Sequence, residues 1–266
     1  MIKRTLLFLL LFTLLFPFQS STAIDALMNY ERITAHRGSS GSAPENTLSA
    51  VLQAAEQGAG YAEIDVQMSA DGIVVLYHDQ TFEKLGLKRT LTDMRYDEIL
   101  SIDAGKWFSS DYTGEKIPTL DQIMKASKMR IKLNIELKMY DSDNALPEAV
   151  VRMIEWNGFT QQCIVTSFDV NAIERVKLAN PNIKTGLIVS SKKSLTNKVW
   201  SGNFDIISVK SKLINRSVAA KAALSGKELH VWTVNKEKEM RRILKYNVKS
   251  IITDYPDVLY NIVKYH

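Results

Sequence analysis

Apolar positions along this chain follow two alternating periods. Short runs with β-branched or alternating apolar residues occur at positions 32–36, 62–67, 131–136, 163–167, 184–189, 206–209, 229–233 and 250–253. Between them, apolar residues recur three and four apart, as in Leu48, Val51, Leu52 and Ala55 after Pro44 and before Gly58. The first spacing predicts strands and the second amphipathic helices. Helix boundaries are marked by local chemistry. Thr119 with Gln122 forms a capping box ahead of Leu120, Ile123 and Met124, and Pro147 opens a helix that buries Val150, Val151 and Ile154 before Gly158. Asp169 caps a helix ending at Asn180-Pro181, and Asn215, Asn235 and Asp257 stand where further N-caps are expected. Eight strands, each followed by a helix and with no internal break, predict one closed (β/α)8 TIM barrel, an α/β fold, over residues 24–266.

One step departs from this alternation. Residues 66–69 and 73–77 are separated only by Ala70-Asp71-Gly72, too short for a crossover helix, so the second arm must fold straight back as a β-hairpin. This excursion after the second strand is predicted to return His78 to the strand carrying Glu63 and Asp65. Residues 80–114 are irregular, with a helix expected near residues 93–100 and an aromatic cluster at Trp107, Phe108 and Tyr112.

The N-terminus has the three-part layout of a secretory signal: a basic start at Lys3 and Arg4, an apolar stretch from Leu6 to Phe18, and a small polar end with Ser21 and Ala23. The apolar run falls short of the roughly 20 residues that span a bilayer as a helix. Residues 1–23 are therefore expected to be a signal peptide or an N-terminal membrane anchor, with membrane association through this segment in the second case. Either places the protein outside the cytoplasm, secreted or membrane-anchored. Composition adds little. Without the leader the chain carries 32 basic and 29 acidic residues, too mild an excess to argue for nucleic acid. The single cysteine, Cys163, excludes an internal disulfide and any multi-cysteine metal site.

The chemistry is concentrated between residues 31 and 79. Strand residues two apart project to one face, so Glu63 and Asp65 point together while Ala62, Ile64 and Val66 form the apolar other face. In a strand covered on both sides, two such carboxylates lose hydration and repel each other; they need a proton or a cation. A solvated edge strand is the bland alternative, and the apolar opposite face argues against it. Glu136, in Asn134-Ile135-Glu136-Leu137-Lys138, falls at the C-terminal end of its strand, where barrels build their sites. Three carboxylates make an oxygen-rich centre for Mg2+ or Ca2+, without choosing between them. His36 and His78, each at a strand end, are expected to converge on these acids and move protons. His230, beside Trp232, is open to either a packing or a functional role.

The ordered set His36-Arg37-Gly38, Pro44-Glu45-Asn46-Thr47, Glu63-Ile64-Asp65-Val66, His78-Asp79 and Asn134-Ile135-Glu136-Leu137-Lys138 resembles the glycerophosphodiester phosphodiesterase family. The resemblance continues through Thr166-Ser167-Phe168, Val231-Trp232-Thr233-Val234-Asn235 and Ile252-Thr253-Asp254-Tyr255-Pro256, to the last helix. It implies metal-dependent hydrolysis of a small-molecule glycerophosphodiester to sn-glycerol 3-phosphate and an alcohol. It further implies that Glu63, Asp65 and Glu136 hold the metal, that His36 and His78 form the acid/base pair, that Arg37 and Lys138 neutralise phosphate oxygens, and that Phe168 and Trp232 line the substrate pocket. Glu45, Asn46 and Thr47 read chiefly as helix-entry residues, with direct contact to the site as the alternative. Two departures are Gly60, where an acid often precedes the first metal carboxylate, and Lys84, where an arginine is common. The rival functions are a phospholipase D-like enzyme on intact lipids, expected to show an apolar lip, and a barrel that binds phosphodiesters or wall polymers without turnover.

Overall fold

The computed structural model describes residues 30–140 and 145–264. The expected signal or anchor, residues 1–23, lies outside them. The strands are β1 (Ile33–Ala35), β2 (Tyr61–Met68), β3 (Val74–Leu76), β4 (Lys132–Leu137), β5 (Cys163–Ser167), β6 (Lys184–Val189), β7 (Ile206–Lys210), β8 (Glu228–Trp232) and β9 (Ser250–Thr253). The α-helices are α1 (Leu48–Glu56), α2 (Tyr96–Ile99), α3 (Leu120–Ser127), α4 (Leu146–Trp156), α5 (Val170–Ala179), α6 (Asn197–Ser201), α7 (Arg216–Leu224), α8 (Glu237–Leu244) and α9 (Pro256–Lys264). The sheet order is β1-β9-β8-β7-β6-β5-β4-β2-β3, and β1 also pairs with β2. That last pairing closes eight parallel strands into the predicted barrel.

Strand alternation sorts the side chains. Ile64, Val66, Ile135, Val165, Ile207, Val231 and Ile251 pack outward against the helices in one continuous core. The inward set is mixed: Glu63, Asp65, Asn134, Thr166, Ser208, His230 and Ser250 are all buried, alongside Ile164, Ile188, Ile206 and Ile252. Buried polar groups are stable when bonded to one another. Thr34 meets Ser250 at 2.7 Å, and Thr166 Oγ1 donates to Asn134 Oδ1 at 3.0 Å.

β3 is the hairpin excursion. It runs antiparallel to β2 in the register Val66↔Leu76, Gln67↔Val75 and Met68↔Val74, and Gly72 takes φ 81° in the turn, a left-handed conformation that glycine adopts without strain. The following loop has its own small core around Val75, Phe82, Leu91, Ile99 and Ile117. The helix expected over residues 93–100 is reduced to the single turn of α2, started where the Glu98 carboxylate accepts from the Arg95 N–H.

Caps at Thr119, Asp169 and Asn215 form as expected. Two do not. Asp257 lies within the first turn of α9, after Pro256. Asn235 precedes α8 without capping it; its side-chain oxygen accepts instead from the backbone N–H of Asp254. Gly60 is explained by crowding: a Cβ there would stand 2.5 Å from the Tyr30 carbonyl oxygen, so no acidic side chain fits.

Candidate active site

All nine residues singled out in the sequence meet at one place. A cavity of about 220 Å³ at the C-terminal end of the barrel is lined by His36, Arg37, Glu63, Asp65, His78, Glu136, Lys138, Phe168 and Trp232, with Asn134, Thr166, Ile188, Ser208 and Ile252.

The carboxylates come from β2 and from the end of β4, whose register sets Asp65 opposite Glu136. One oxygen from each of Glu63, Asp65 and Glu136 lies within 4.8 Å of the others. Burial and the neighbouring Asp65 push the Glu63 carboxyl well above the ordinary carboxylate range. Its Oε1 is buried with no hydrogen-bond partner, while Oε2 accepts from the Arg37 N–H at 2.8 Å. A buried oxygen left unpaired within a cluster of like charges fits a hard divalent cation, and an all-oxygen donor set suits Mg2+ or Ca2+.

Asp65 is held differently. Asn46 grips it twice: Asn46 Nδ2 donates to Asp65 Oδ2 at 2.8 Å, and Asn46 Oδ1 accepts from the Asp65 N–H at 2.9 Å. Despite its burial, Lys138 and Arg37 hold its carboxyl below the ordinary range. Asn46 manages this grip from φ 58°, in the left-handed region that Asn tolerates better than most residues. Of the three expected helix-entry residues, only Thr47 serves that purpose, accepting from the Ala50 N–H. Glu45 instead ties Arg37 Nη1, at 3.1 Å, to Lys84 Nζ, at 2.8 Å. Lys84 thus pairs with Glu45, and its ammonium lies 3.6 Å from the centroid of the Trp107 ring.

Each histidine has its own carboxylate. His36 Nδ1 lies 2.7 Å from Asp254 Oδ1, and His78 Nδ1 lies 2.6 Å from Asp79 Oδ1. An ionised carboxylate only accepts, so Nδ1 carries the proton in both rings and Nε2 is the nitrogen left for chemistry. The pKa values of the two rings are shifted in opposite directions. Burial opposes a charged His36, but the Asp254 hydrogen bond and the Glu63 charge outweigh it and raise its pKa. For His78 burial prevails over Asp65 and lowers it. Gln67 fixes the His78 backbone by donating to the carbonyls on either side, Tyr77 at 2.8 Å and Asp79 at 2.7 Å.

Lys138 Nζ donates to Glu136 Oε1 at 2.8 Å and stands 3.6 Å from Asp65 Oδ1, so its charge is shared with the acids. On the far wall Phe168 and Trp232 meet edge to face, centroids 5.7 Å apart at 88°. Trp232 Nε1 donates to the Ser208 carbonyl, which fixes the ring.

Asp254 and Asp79 are not among the sequence candidates for site residues, and for Asn46 the alternative to helix entry, a place in the site, is the one the structure shows. Asp254 directly follows the last strand, at the rim where barrels place site residues, and that position was the signal available for it. His230 does not line the cavity: it is buried with neither ring nitrogen bonded, and burial lowers its pKa to about 3, so it packs as a neutral ring.

Fold and cavity together define a class: a (β/α)8 barrel whose C-terminal face carries a three-carboxylate centre flanked by two carboxylate-paired histidines. The chain belongs to the glycerophosphoryl diester phosphodiesterase family, whose family model matches residues 36–258. YhdW of Bacillus subtilis (strain 168) is 31% identical over 232 residues, covering 85% of this chain and 96% of that protein. The glycerophosphodiester phosphodiesterase of Caldanaerobacter subterraneus subsp. tengcongensis is 30% identical over 244 residues, 87% of this chain and 97% of that one. Among solved structures, an Oleispira antarctica phosphodiesterase in complex with the product sn-glycerol-3-phosphate superposes with a TM-score of 0.83 at 26% identity, covering 88% of this chain and 96% of that chain.

Proposed function

We propose that this protein hydrolyses glycerophosphodiesters to sn-glycerol 3-phosphate and an alcohol, with His36 and His78 as the acid/base pair and a divalent cation, Mg2+ or Ca2+, held by Glu63, Asp65 and Glu136. The observation that carries this reading is the convergence of two carboxylate-oriented histidines on one cavity with three mutually close carboxylates. A bound cation would polarise a phosphoryl oxygen and compensate the buried acids.

The chain's own residues supply the rest. Arg37, held by Glu45, and Lys138, held by Glu136, present positive charge where charge builds on the non-bridging oxygens. His36, whose protonated form Asp254 favours, is placed to give a proton at Nε2. His78, whose neutral form burial favours, is placed to take one at Nε2. Phe168 and Trp232 form an apolar wall against which a substrate arm packs and loses water. A barrel that only binds diesters has no need of an oriented proton donor and acceptor.

The apolar lip expected of a lipid-cleaving enzyme has one observation behind it. A side cleft shares Glu136, Lys138 and Phe168 with the cavity and is lined by Leu137, Met139, Tyr140 and Val170. Export or anchoring through residues 1–23 also belongs to this reading, supported by the basic, apolar and small-polar order of that segment.

The test is release of choline from glycerophosphocholine, with glycerol 3-phosphate as the other product, and from lysophosphatidylcholine, with lysophosphatidic acid as the other product, before and after chelation by EDTA. Choline release from the soluble diester that stops on chelation and returns with Mg2+ or Ca2+ is expected. Release unaffected by thorough chelation refutes the metal assignment, and choline release only from the lysolipid favours the lipid reading.

A further inference from the structure

Positive charge is unevenly spread over this molecule. Residues 190–221 contain seven lysines and arginines and a single acid, Asp205, a net +6 against +5 for the whole chain. Asp205 is spent at the opposite end of the barrel, where it pairs with Lys177 at 2.9 Å and accepts from the Thr185 N–H. Lys192 and Lys193 lie in the turn after β6, Lys210 ends β7, Lys212 lies in the turn that follows, and Arg216 begins α7. These five side chains are exposed, and none of them has an ion-pair partner among the described residues. Other cations of the barrel do have one, such as Lys132 with Glu31, Lys184 with Glu228 and Arg241 with Glu237.

The turns after β6 and β7 form part of the same C-terminal rim as the cavity, and Lys210 joins the two: its Nζ lies 5.8 Å from the centroid of the cavity-lining Trp232 ring. The direction in which a substrate would extend follows from the cavity walls. Carboxylates, histidines, Arg37 and Lys138 come from β1, β2, β4 and the hairpin and fill one arc. The opposite arc, from β5 to β8, offers Phe168, Ile188, Ser208 and Trp232. A diester with its phosphorus beside the charged arc extends an arm over Trp232 and meets Lys210 first. Uncompensated cations beside a cleft raise the local concentration of anions and repel cations.

We propose that the cationic rim over β6 and β7 is a subsite for a second anionic group, so that the preferred substrates are glycerophosphodiesters whose alcohol half carries further negative charge. An oligomer of glycerol phosphate is the simplest such compound, and choline and ethanolamine diesters are disfavoured. This rests on the diester-hydrolysing reading above and adds the substrate's charge to it.

The experiment compares the full chain with K192E/K193E/K212E and the milder K192Q/K193Q/K212Q. It measures kcat/KM for glycerophosphocholine and for a three-phosphate glycerol phosphate oligomer at low and high salt. Calorimetric binding of the oligomer in EDTA is measured alongside, with thermal unfolding as the fold control. The wild type is expected to prefer the oligomer at least about tenfold at low salt, the lower end of electrostatic steering. High salt and both triple variants should reduce that preference, and glycerophosphocholine turnover should change less than about twofold, as for surface charges away from the reacting atoms. Equal use of the two diesters, or a preference untouched by the charge reversal, overturns the proposal. So does rim-dependent sedimentation with phosphatidylglycerol vesicles without any oligomer preference, which would make the rim a lipid-facing surface. If no diester is hydrolysed, rim-dependent oligomer binding in EDTA upholds the subsite while the activity reading fails; absence of both refutes the two together.

Discussion

His36 and Asp254 stand 218 residues apart in the chain and 2.7 Å apart in space, Nδ1 to Oδ1. They directly follow β1 and β9, neighbouring strands of the closed barrel. Asp254 is itself fixed, accepting from Ser40 Oγ at 3.0 Å and from Asn235 Nδ2. Its hydrogen bond holds the His36 ring and raises the pKa of His36.

Asp254→Asn is therefore expected to lower kcat by about ten- to a hundredfold, the scale of losing an orienting partner. The carboxylate raises the affinity of His36 for its proton, so the pH limb set by protonated His36 moves to lower pH in the variant. The pH–rate profile checks this: a fall in kcat with an unmoved limb would mean Asp254 only supports the fold.

His36→Ala and His78→Ala should each leave unfolding by circular dichroism close to wild type and lower turnover at least about a hundredfold, as for loss of a general acid or base. Near-normal turnover of either variant removes that residue from the proposed pair.

Glu63→Gln keeps the shape of the side chain and removes a charge that burial and Asp65 both disfavour. Calorimetry should show divalent-cation affinity lowered at least about tenfold, a scale reached by outer-shell losses alone. In EDTA the variant should unfold at the same or a higher temperature than wild type. Unchanged cation affinity would detach Glu63 from the metal site.

His230 gives the fold an acid sensitivity of its own. Its folded pKa is about 3, against 6.5 for the free side chain, so between these values the unfolded chain holds a proton that the folded one does not. Its contribution to stability is present above about pH 6.5 and is lost as pH falls toward 3. Replacing His230 by Leu should flatten the fall in Tm over this window by on the order of 10 °C, the scale of about 4 kcal/mol for a domain of this size. An identical acid slope in the two proteins would show that His230 is not the titrating group.

Much of this was legible from local pattern. The periods of two and three to four residues marked the barrel strands and their helices, Thr119, Asp169 and Asn215 marked true caps, and the Ala70-Asp71-Gly72 turn marked the hairpin. Signals that depend on a few neighbouring residues survive because strand pleat and helix turn are themselves short-range. Asn235 shows where this fails. Its residue type and position suit an N-cap, but the Asp254 backbone across the β8–β9 junction offers a better-placed donor. The helix expected over residues 93–100 failed similarly, since the excursion's small core accommodates only one turn of it.

The sequence by itself determined the barrel, the identity of its inward-facing acids and the return of His78 toward them, because alternation along a strand decides which side chains share a face. Tertiary structure decided the pairings: Asp254 with His36, Asn46 with Asp65, Glu45 between Arg37 and Lys84, and five rim cations left with no acid among the described residues. Hydrogen bonds and ion pairs reach only about 3 to 4 Å, and at that range the partners are set by how the barrel closes rather than by separation along the chain.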